Sequence, residues 1–322
     1  MIPRAMTVSA YAPACIGNFA AGFDLLGAAV APLDGSLWGD VVTVAPAETT
    51  SLAVSGPYAA ALPADPGDNL VLRTAELVRR ALAAKGLRAP TFELHLAKNL
   101  PLASGLGSSS SSIAATLAAC QRLLGEPFTL SELFDLAGRA EALVSGAVHL
   151  DNVVPALVGG LQLVVPGPEG SAQARGLDWP EDLLLVVVHP DFQLTTESSR
   201  RVLPAELPLP TAVAFAENLA ALVHALDRGD RDLLRRCLRD LVAEPYRAAL
   251  VPGFREAQAA ALAAGAWGCT LSGAGPSVFA VAPAHDLADG VAEAVVAAFE
   301  RAELPSRARL CRLDRLGARI VP

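Results

Sequence analysis

Lysine is almost absent from this chain. Lys85 and Lys98 are the only two in 322 residues, and the rest of the positive charge is arginine. A mechanism built on a catalytic lysine therefore has two candidates. Both stand in surface-like contexts, one at a helix end and one at a strand end. No basic block occurs and the net charge is −8, which argues against nucleic-acid binding through a basic face. The five cysteines, Cys15, Cys120, Cys237, Cys269 and Cys311, are scattered without a C-x-x-C pair. That pattern speaks against a disulfide frame or a zinc site and for reduced thiols in a cytoplasm. No apolar run reaches membrane-span length without a Pro, Gly or Ser break. Met1 to Phe23 has one basic residue and is broken by Pro13, Gly17 and Asn18, so it does not read as a signal peptide. A cytoplasmic location is expected.

Hydrophobic residues make up 52% of the chain, enough for a large core, and the length suits about two domains. Strand signals fall at Thr91 to Leu96, Leu183 to His189 and Asp40 to Ala45. Helix signals fall at Asn69 to Lys85, Thr211 to Arg228, Asp230 to Ala243, Phe254 to Ala264 and Asp286 to Ala302. Thr129-Leu130-Ser131-Glu132 is a capping box opening a helix to about Val144. The elements mix without a regular βαβ rhythm, which predicts an α+β fold. The Gly- and Pro-rich stretch Pro166 to Pro180 marks the expected boundary between domains at 1–165 and 166–322.

The most informative stretch is Pro101-Leu102-Ala103-Ser104-Gly105-Leu106-Gly107-Ser108-Ser109-Ser110-Ser111. It runs directly into a predicted helix from Ser108 to about Leu124. A helix start carries unpaired N–H groups and a partial positive charge, and glycines let backbone approach a ligand closely. Such a loop suits phosphate. No Gly-Lys-Ser/Thr follows, so it is not a P-loop, and Gly-x-Gly-x-x-Gly is incomplete. With so few lysines, phosphate charge is expected to be met by loop N–H groups, Mg2+ and arginine.

This loop resembles the second motif of the GHMP kinases, where it wraps the nucleotide phosphates. Leu271-Ser272-Gly273-Ala274-Gly275-Pro276-Ser277 matches their third motif. Tyr11-Ala12-Pro13-Ala14-Cys15-Ile16-Gly17-Asn18-Phe19-Ala20-Ala21-Gly22-Phe23-Asp24 looks like the first motif of the homoserine kinases within that family, although Cys15, Ile16 and Gly17 replace its usual small hydroxyl-bearing residues. Read from the residues alone, that segment is either an apolar cup holding Asn18 and Asp24 or a turn before a helix. The string His149-Leu150-Asp151-Asn152-Val153-Val154-Pro155-Ala156 is similar to the same branch, as are Thr196-Glu197-Ser198-Ser199-Arg200 with Leu203-Pro204, and Glu244-Pro245-Tyr246-Arg247.

The resemblance covers essentially the whole chain. It implies a two-domain α+β fold, with an N-terminal domain like the second domain of ribosomal protein S5 and a ferredoxin-like C-terminal domain. It implies ATP and Mg2+ as cofactors, with Asn69 near the base, the loop on the phosphates, and Ser109 and Glu141 on Mg2+, a hard carboxylate suiting that ion. L-homoserine is the implied acceptor. Asn18, Asp24, His149, Asp151 and Asn152 would line its site, with Arg200 and Arg247 on its carboxylate through planar paired donors. Asp24, Asn152 and Arg200 are the candidates closest to the reaction, Asp24 being the base if there is one. A homodimer is expected. A kinase for another acceptor, such as mevalonate, and a non-catalytic binding protein of the same fold are the alternatives.

Overall fold

The computed structural model describes residues 6–88, 90–146, 148–167 and 171–322. Met1 to Ala5, Ala89, Ala147 and residues 168–170 within the expected boundary lie outside the described residues. The strands are β1 Val8–Gly17, β2 Leu26–Pro32, β3 Gly39–Ala47, β4 Ser51–Ser55, β5 Thr91–Ala97, β6 Leu161–Pro166, β7 Ala172–Leu177, β8 Leu184–Pro190, β9 Gly268–Leu271, β10 Val278–Ala282, β11 Ser306–Leu313 and β12 Arg319–Val321. The helices are α1 Leu70–Ala84, α2 Ser108–Leu123, α3 Leu130–Ser145, α4 Val153–Val158, α5 Thr196–Arg201, α6 Leu209–Arg228, α7 Arg231–Cys237, α8 Glu244–Arg247, α9 Phe254–Ala263 and α10 His285–Arg301.

The strands form one hydrogen-bonded array in the order β4-β5-β3-β1-β2-β11-β8-β10-β9, with β12 beside β1 and the β6–β7 pair beside β2. Among the described residues, β4 and β5 pair in parallel and the other ladders are antiparallel. β1 joins two sheets. Its first half, Val8 to Pro13, pairs with β3, and its second half, Ala14 to Gly17, pairs with β2. The segment Tyr11 to Asp24 is therefore a buried strand as far as Gly17, and its turn leads into β2 and not into a helix. Ala10, Ala12, Ala14 and Ile16 all reach zero exposure.

α2 lies across β1 and β3 with α1 and α3 beside it. Small side chains let it sit that deep: Ala114, Ala115 and Ala119 are fully buried, and Ile113 and Leu117 fill the remaining volume. A second core lies under α9 and α10 against β8, β9 and β10, with Phe254 and Phe299 at its centre.

The capping box at Thr129 and Glu132 is present. The helix expected over Asp230 to Ala243 is broken instead. α7 ends at Cys237, and the Asp240 carboxylate accepts the N–H groups of Val242, Ala243 and Glu244. A short acidic side chain offers backbone donors an alternative to the helix ladder. The Gly- and Pro-rich stretch expected as the domain boundary, Pro166 to Pro180, contains β7.

Candidate active site

The loop Pro101 to Ser111 is fixed by its carbonyls. The N–H of Leu194 donates to the carbonyl of Ala103 at 3.0 Å, that of Ser277 to Ser104 at 3.1 Å and that of Cys15 to Leu106 at 3.0 Å. The Ser272 hydroxyl donates to the carbonyl of Gly105 at 2.6 Å. Four successive acceptors are thus turned into the protein. That leaves donors to face an anion, because the first turn of α2 has no preceding turn to take its N–H groups.

Left-handed backbone at Gly105 and Gly107, φ +76° and +63°, makes this path possible. A Cβ on Gly105 would meet the Ser272 carbonyl oxygen at 2.4 Å, and one on Gly107 would meet Cys15 Cβ at 3.1 Å and Asn152 Oδ1 at 3.2 Å.

The loop opens on a cavity of about 480 Å3. Of the residues predicted for the site, Asn18, Asp24, Asn69, Leu102 to Gly105, Gly107 to Ser110, Glu141, His149, Asp151, Asn152, Arg200 and Arg247 all line it. Pro101, Leu106 and Ser111 do not. Leu106 is core, and the Ser111 hydroxyl is spent between the N–H of Asp40 and the carbonyl of Ala12. Asn69 is 3% exposed and caps α1 by accepting the N–H of Val71. Leu62, Pro63, Leu70 and Leu96 add an apolar wall on its side of the cavity.

Glu141, on α3, faces the start of α2. The Ser109 hydroxyl donates to its two oxygens at 3.4 and 3.2 Å. Burial pushes the Glu141 carboxyl up to about 7 against that hydrogen bond, and the Asp151 charge pushes the same way. No group of three or more His, Cys, Asp or Glu residues that could hold a metal ion occurs among the described residues. One hydroxyl and one carboxylate, both hard oxygen donors, suit a cation that keeps water and phosphate oxygens as its other ligands.

The far end of the cavity is charged. Arg200 grips Asp24 through both terminal nitrogens, at 2.5 and 3.2 Å. Its Nε is buried with no hydrogen-bond partner. Arg247 is 2% exposed and donates to the carbonyls of Ser199 and Gly273 at 3.1 and 3.0 Å. Both guanidinium groups lie against the Phe23 ring, its centre 5.7 Å from Arg200 and 5.5 Å from Arg247.

Asn18 stitches this end together. Its N–H donates to Asp151, its amide to the carbonyl of Gly273, and its amide oxygen accepts the N–H of Asp24. The backbone is left-handed at both Asn18 and Asp24. Burial, with the Asp24 charge beside it, pushes Asp151 up to about 6.

Lys98 is buried, contrary to the surface-like context of its position in the sequence. It is 2% exposed, lines the cavity and pairs with the fully buried Asp40. Asp40 and Ser112 were not singled out either. Asp40 lies far from the loop in sequence, so only the sheet register could have found it.

Two family models match: the GHMP kinases N terminal domain over residues 69–160 and the GHMP kinases C terminal domain over residues 222–301. The homoserine kinase of Cytophaga hutchinsonii is similar at 32% identity with a TM-score of 0.87, over 98% of this chain and 97% of that one. Mevalonate kinase of L. major in complex with R-mevalonate is similar in fold at 16% identity and TM-score 0.65, covering 97% and 98% of the two chains. So is mevalonate diphosphate decarboxylase of Enterococcus faecalis, at 15% identity and TM-score 0.65, over 98% and 99%. The chain belongs to the GHMP kinases and has their two-domain α+β fold. That membership makes it a small-molecule kinase of the ATP-using type.

Proposed function

We propose that this kinase phosphorylates the side-chain hydroxyl of L-homoserine. The observation that carries the reading is the charged end of the cavity: two arginines and two aspartates beside an otherwise backbone-lined phosphate loop. A zwitterionic acceptor matches that set, its carboxylate on Arg200 and Arg247 and its ammonium on Asp24 or Asp151. The Arg200 guanidinium lines the cavity and is part exposed beside Asp24, which supports this. The Cytophaga relative points the same way.

The nucleotide would lie with its base against Asn69 and the apolar wall and its phosphates on the loop. The acceptor hydroxyl oxygen attacks the γ-phosphorus, the bond to the bridging oxygen breaks, and ADP leaves. Such transfers need positioning and charge neutralisation more than covalent help. When bound at Ser109 and Glu141, Mg2+ would neutralise charge on the phosphate oxygens.

Both oxygens of Asp24 already accept from Arg200. That favours binding and orientation for Asp24 over proton abstraction. The hydroxyl proton can pass to the transferred phosphoryl group or to water. Asn152, next to Asp151 and beside Gly107, is set to orient the acceptor near the loop.

The test is ATP consumption by the purified protein with L-homoserine, mevalonate and other alcohols. Homoserine should be the best acceptor and mevalonate, which has no ammonium, a poor one. Turnover of mevalonate equal to or above that of homoserine sinks the reading. L-threonine, with the same head group, should compete with homoserine.

A further inference from the structure

We propose that Asp40 and Lys98 form a buried strut that holds both ends of the phosphate loop, with Lys98 a positioning residue and not a phosphate ligand. The inference rests on the reading of Pro101 to Ser111 as the nucleotide phosphate loop.

The donor count decides the role. A lysine ammonium has three protons to give. Lys98 Nζ meets Asp40 Oδ2 at 2.5 Å, the carbonyl oxygen of Ser108 at 2.8 Å and the Ser112 hydroxyl at 3.1 Å. All three are spent inside the protein, and the positive charge is matched by a carboxylate in direct contact. An incoming anion finds neither a free donor nor a net charge there.

The loop is what Lys98 acts on. Ser108 and Ser112 are one turn apart at the start of α2, so the ammonium pins the first turn of the helix whose N–H groups face the cavity. Asp40 pins the other end. Its Oδ1 accepts the N–H of Asn99 at 2.8 Å and of Leu100 at 3.1 Å, the two residues leading into Pro101. Its Oδ2 accepts from Lys98 and from the Ser112 hydroxyl, the latter at 2.6 Å. Entry and exit of the loop therefore close on one carboxylate. Asp40 sits on β3, and its own N–H donates to the Ser111 hydroxyl.

A buried ion pair is a poor device for stability, because desolvation offsets most of the attraction. Spacing the loop ends to a fixed distance is a use that accounts for it here. Loop N–H groups are worth most to a phosphate when they are already aimed before it arrives.

Removing Lys98 alone would strand the Asp40 charge. The test therefore uses the double variant D40N/K98M, which removes both charges at similar volume, and K98R, which keeps the ion pair but cannot reproduce the three-point contact. The readouts are the ATP dissociation constant by calorimetry, the KM for ATP and for the acceptor, and Tm. The expected result is ATP binding and ATP KM weakened about tenfold in both variants. The acceptor KM should stay within about twofold, and Tm should stay near wild type for K98R. Wild-type ATP affinity in a folded K98R or D40N/K98M protein overturns the strut. Losses of equal size in both KM values, tracking a fall in Tm, overturn it too, because they report general damage. If wild-type protein does not bind ATP, the loop reading itself fails and takes the strut with it.

Discussion

The two ends of the cavity are built on opposite principles. The end proposed for phosphate is a contiguous loop whose backbone and serine hydroxyls line the cavity, with Glu141 facing them. The end proposed for the acceptor is side-chain charge gathered from four separate segments, the chain after β1, the approach to α4, α5 and α8, and braced by the Gly273 carbonyl of the β9–β10 turn. The first should depend on glycine conformation and loop geometry. The second should depend on desolvated charge pairs, and its losses should be larger and more selective.

The largest effect is therefore expected at the acceptor end. Losing one partner of a desolvated charged contact costs about 2–5 kcal/mol, or roughly thirty-fold and upwards in affinity. Arg247→Leu should raise the acceptor KM by that factor and leave the ATP KM nearly unchanged, as read by steady-state kinetics with each substrate varied. An unmoved acceptor KM would remove Arg247 from the carboxylate site. Because Arg247 also ties Ser199 to Gly273, Tm should fall as well.

At the phosphate end, Gly107→Val should weaken ATP binding by about tenfold. A branched residue at φ +63° is strained by about 1–2 kcal/mol, and its Cβ would press on Cys15 and Asn152. Calorimetry and a melting curve would separate the two costs. Unchanged ATP affinity in a folded variant would break the loop assignment.

The same contrast explains what the sequence made legible. The loop and α2 could be read because glycine, serine and helix signal lie in one string, and the physics of a helix start is local. The capping box at Thr129 was equally local. The acceptor end could not be derived that way. The residues alone left Asn18 and Asp24 open between a cup and a turn, and the roles of Arg200 and Arg247 rest on motif resemblance, since nothing in the spacing announces that Asn18 meets Asp151 133 positions on or that Asp24 meets Arg200 176 positions on. Lys98 was misread for the same reason. A lysine after a strand is normally solvated, and its burial is created by Asp40 58 positions earlier. β1 escaped because Pro13 and Gly17 suggested a turn, although both fit within or at the end of a strand flanked on both sides. The break after Cys237 needed the knowledge that the Asp240 carboxylate turns back on the chain.

Glu141 links the two ends and should respond to pH. Its folded carboxyl titrates at about 7, above the ordinary 4.5, because it is buried. From pH 8 to pH 6 its ionised fraction falls from about nine-tenths to about one-tenth. The Mg2+ concentration for half-maximal rate should rise by up to about tenfold over that range. Glu141→Gln should need more Mg2+ at every pH and lose this dependence. The stability sign runs the other way. A raised carboxyl pKa favours the folded state below the unfolded value, and that contribution is lost as pH rises through about 7. Glu141→Gln should therefore melt higher than wild type at pH 8 and about the same at pH 5. A pH-independent Mg2+ requirement in wild type would return Glu141 to an ordinary helix position.

The smallest effect on folding should come from the most conspicuous ion pair. Arg200 and Asp24 are 29% and 32% exposed, so water screens them even at 2.5 Å. Pairs of this kind contribute about 0–1 kcal/mol. Asp24→Asn should therefore shift Tm only slightly, although the contact is bidentate. Its consequence should appear in acceptor choice. With Asp24 neutral, the cavity loses one of two carboxylates able to meet an ammonium, while Arg200 gains freedom to engage a carboxylate. The variant should lose discrimination between an amino acid and a hydroxy acid of similar length, measured as the ratio of kcat/KM for homoserine to that for mevalonate. A large drop in Tm with that ratio unchanged would mean that the pair braces the fold, and that the acceptor end owes its selectivity to Asp151 instead.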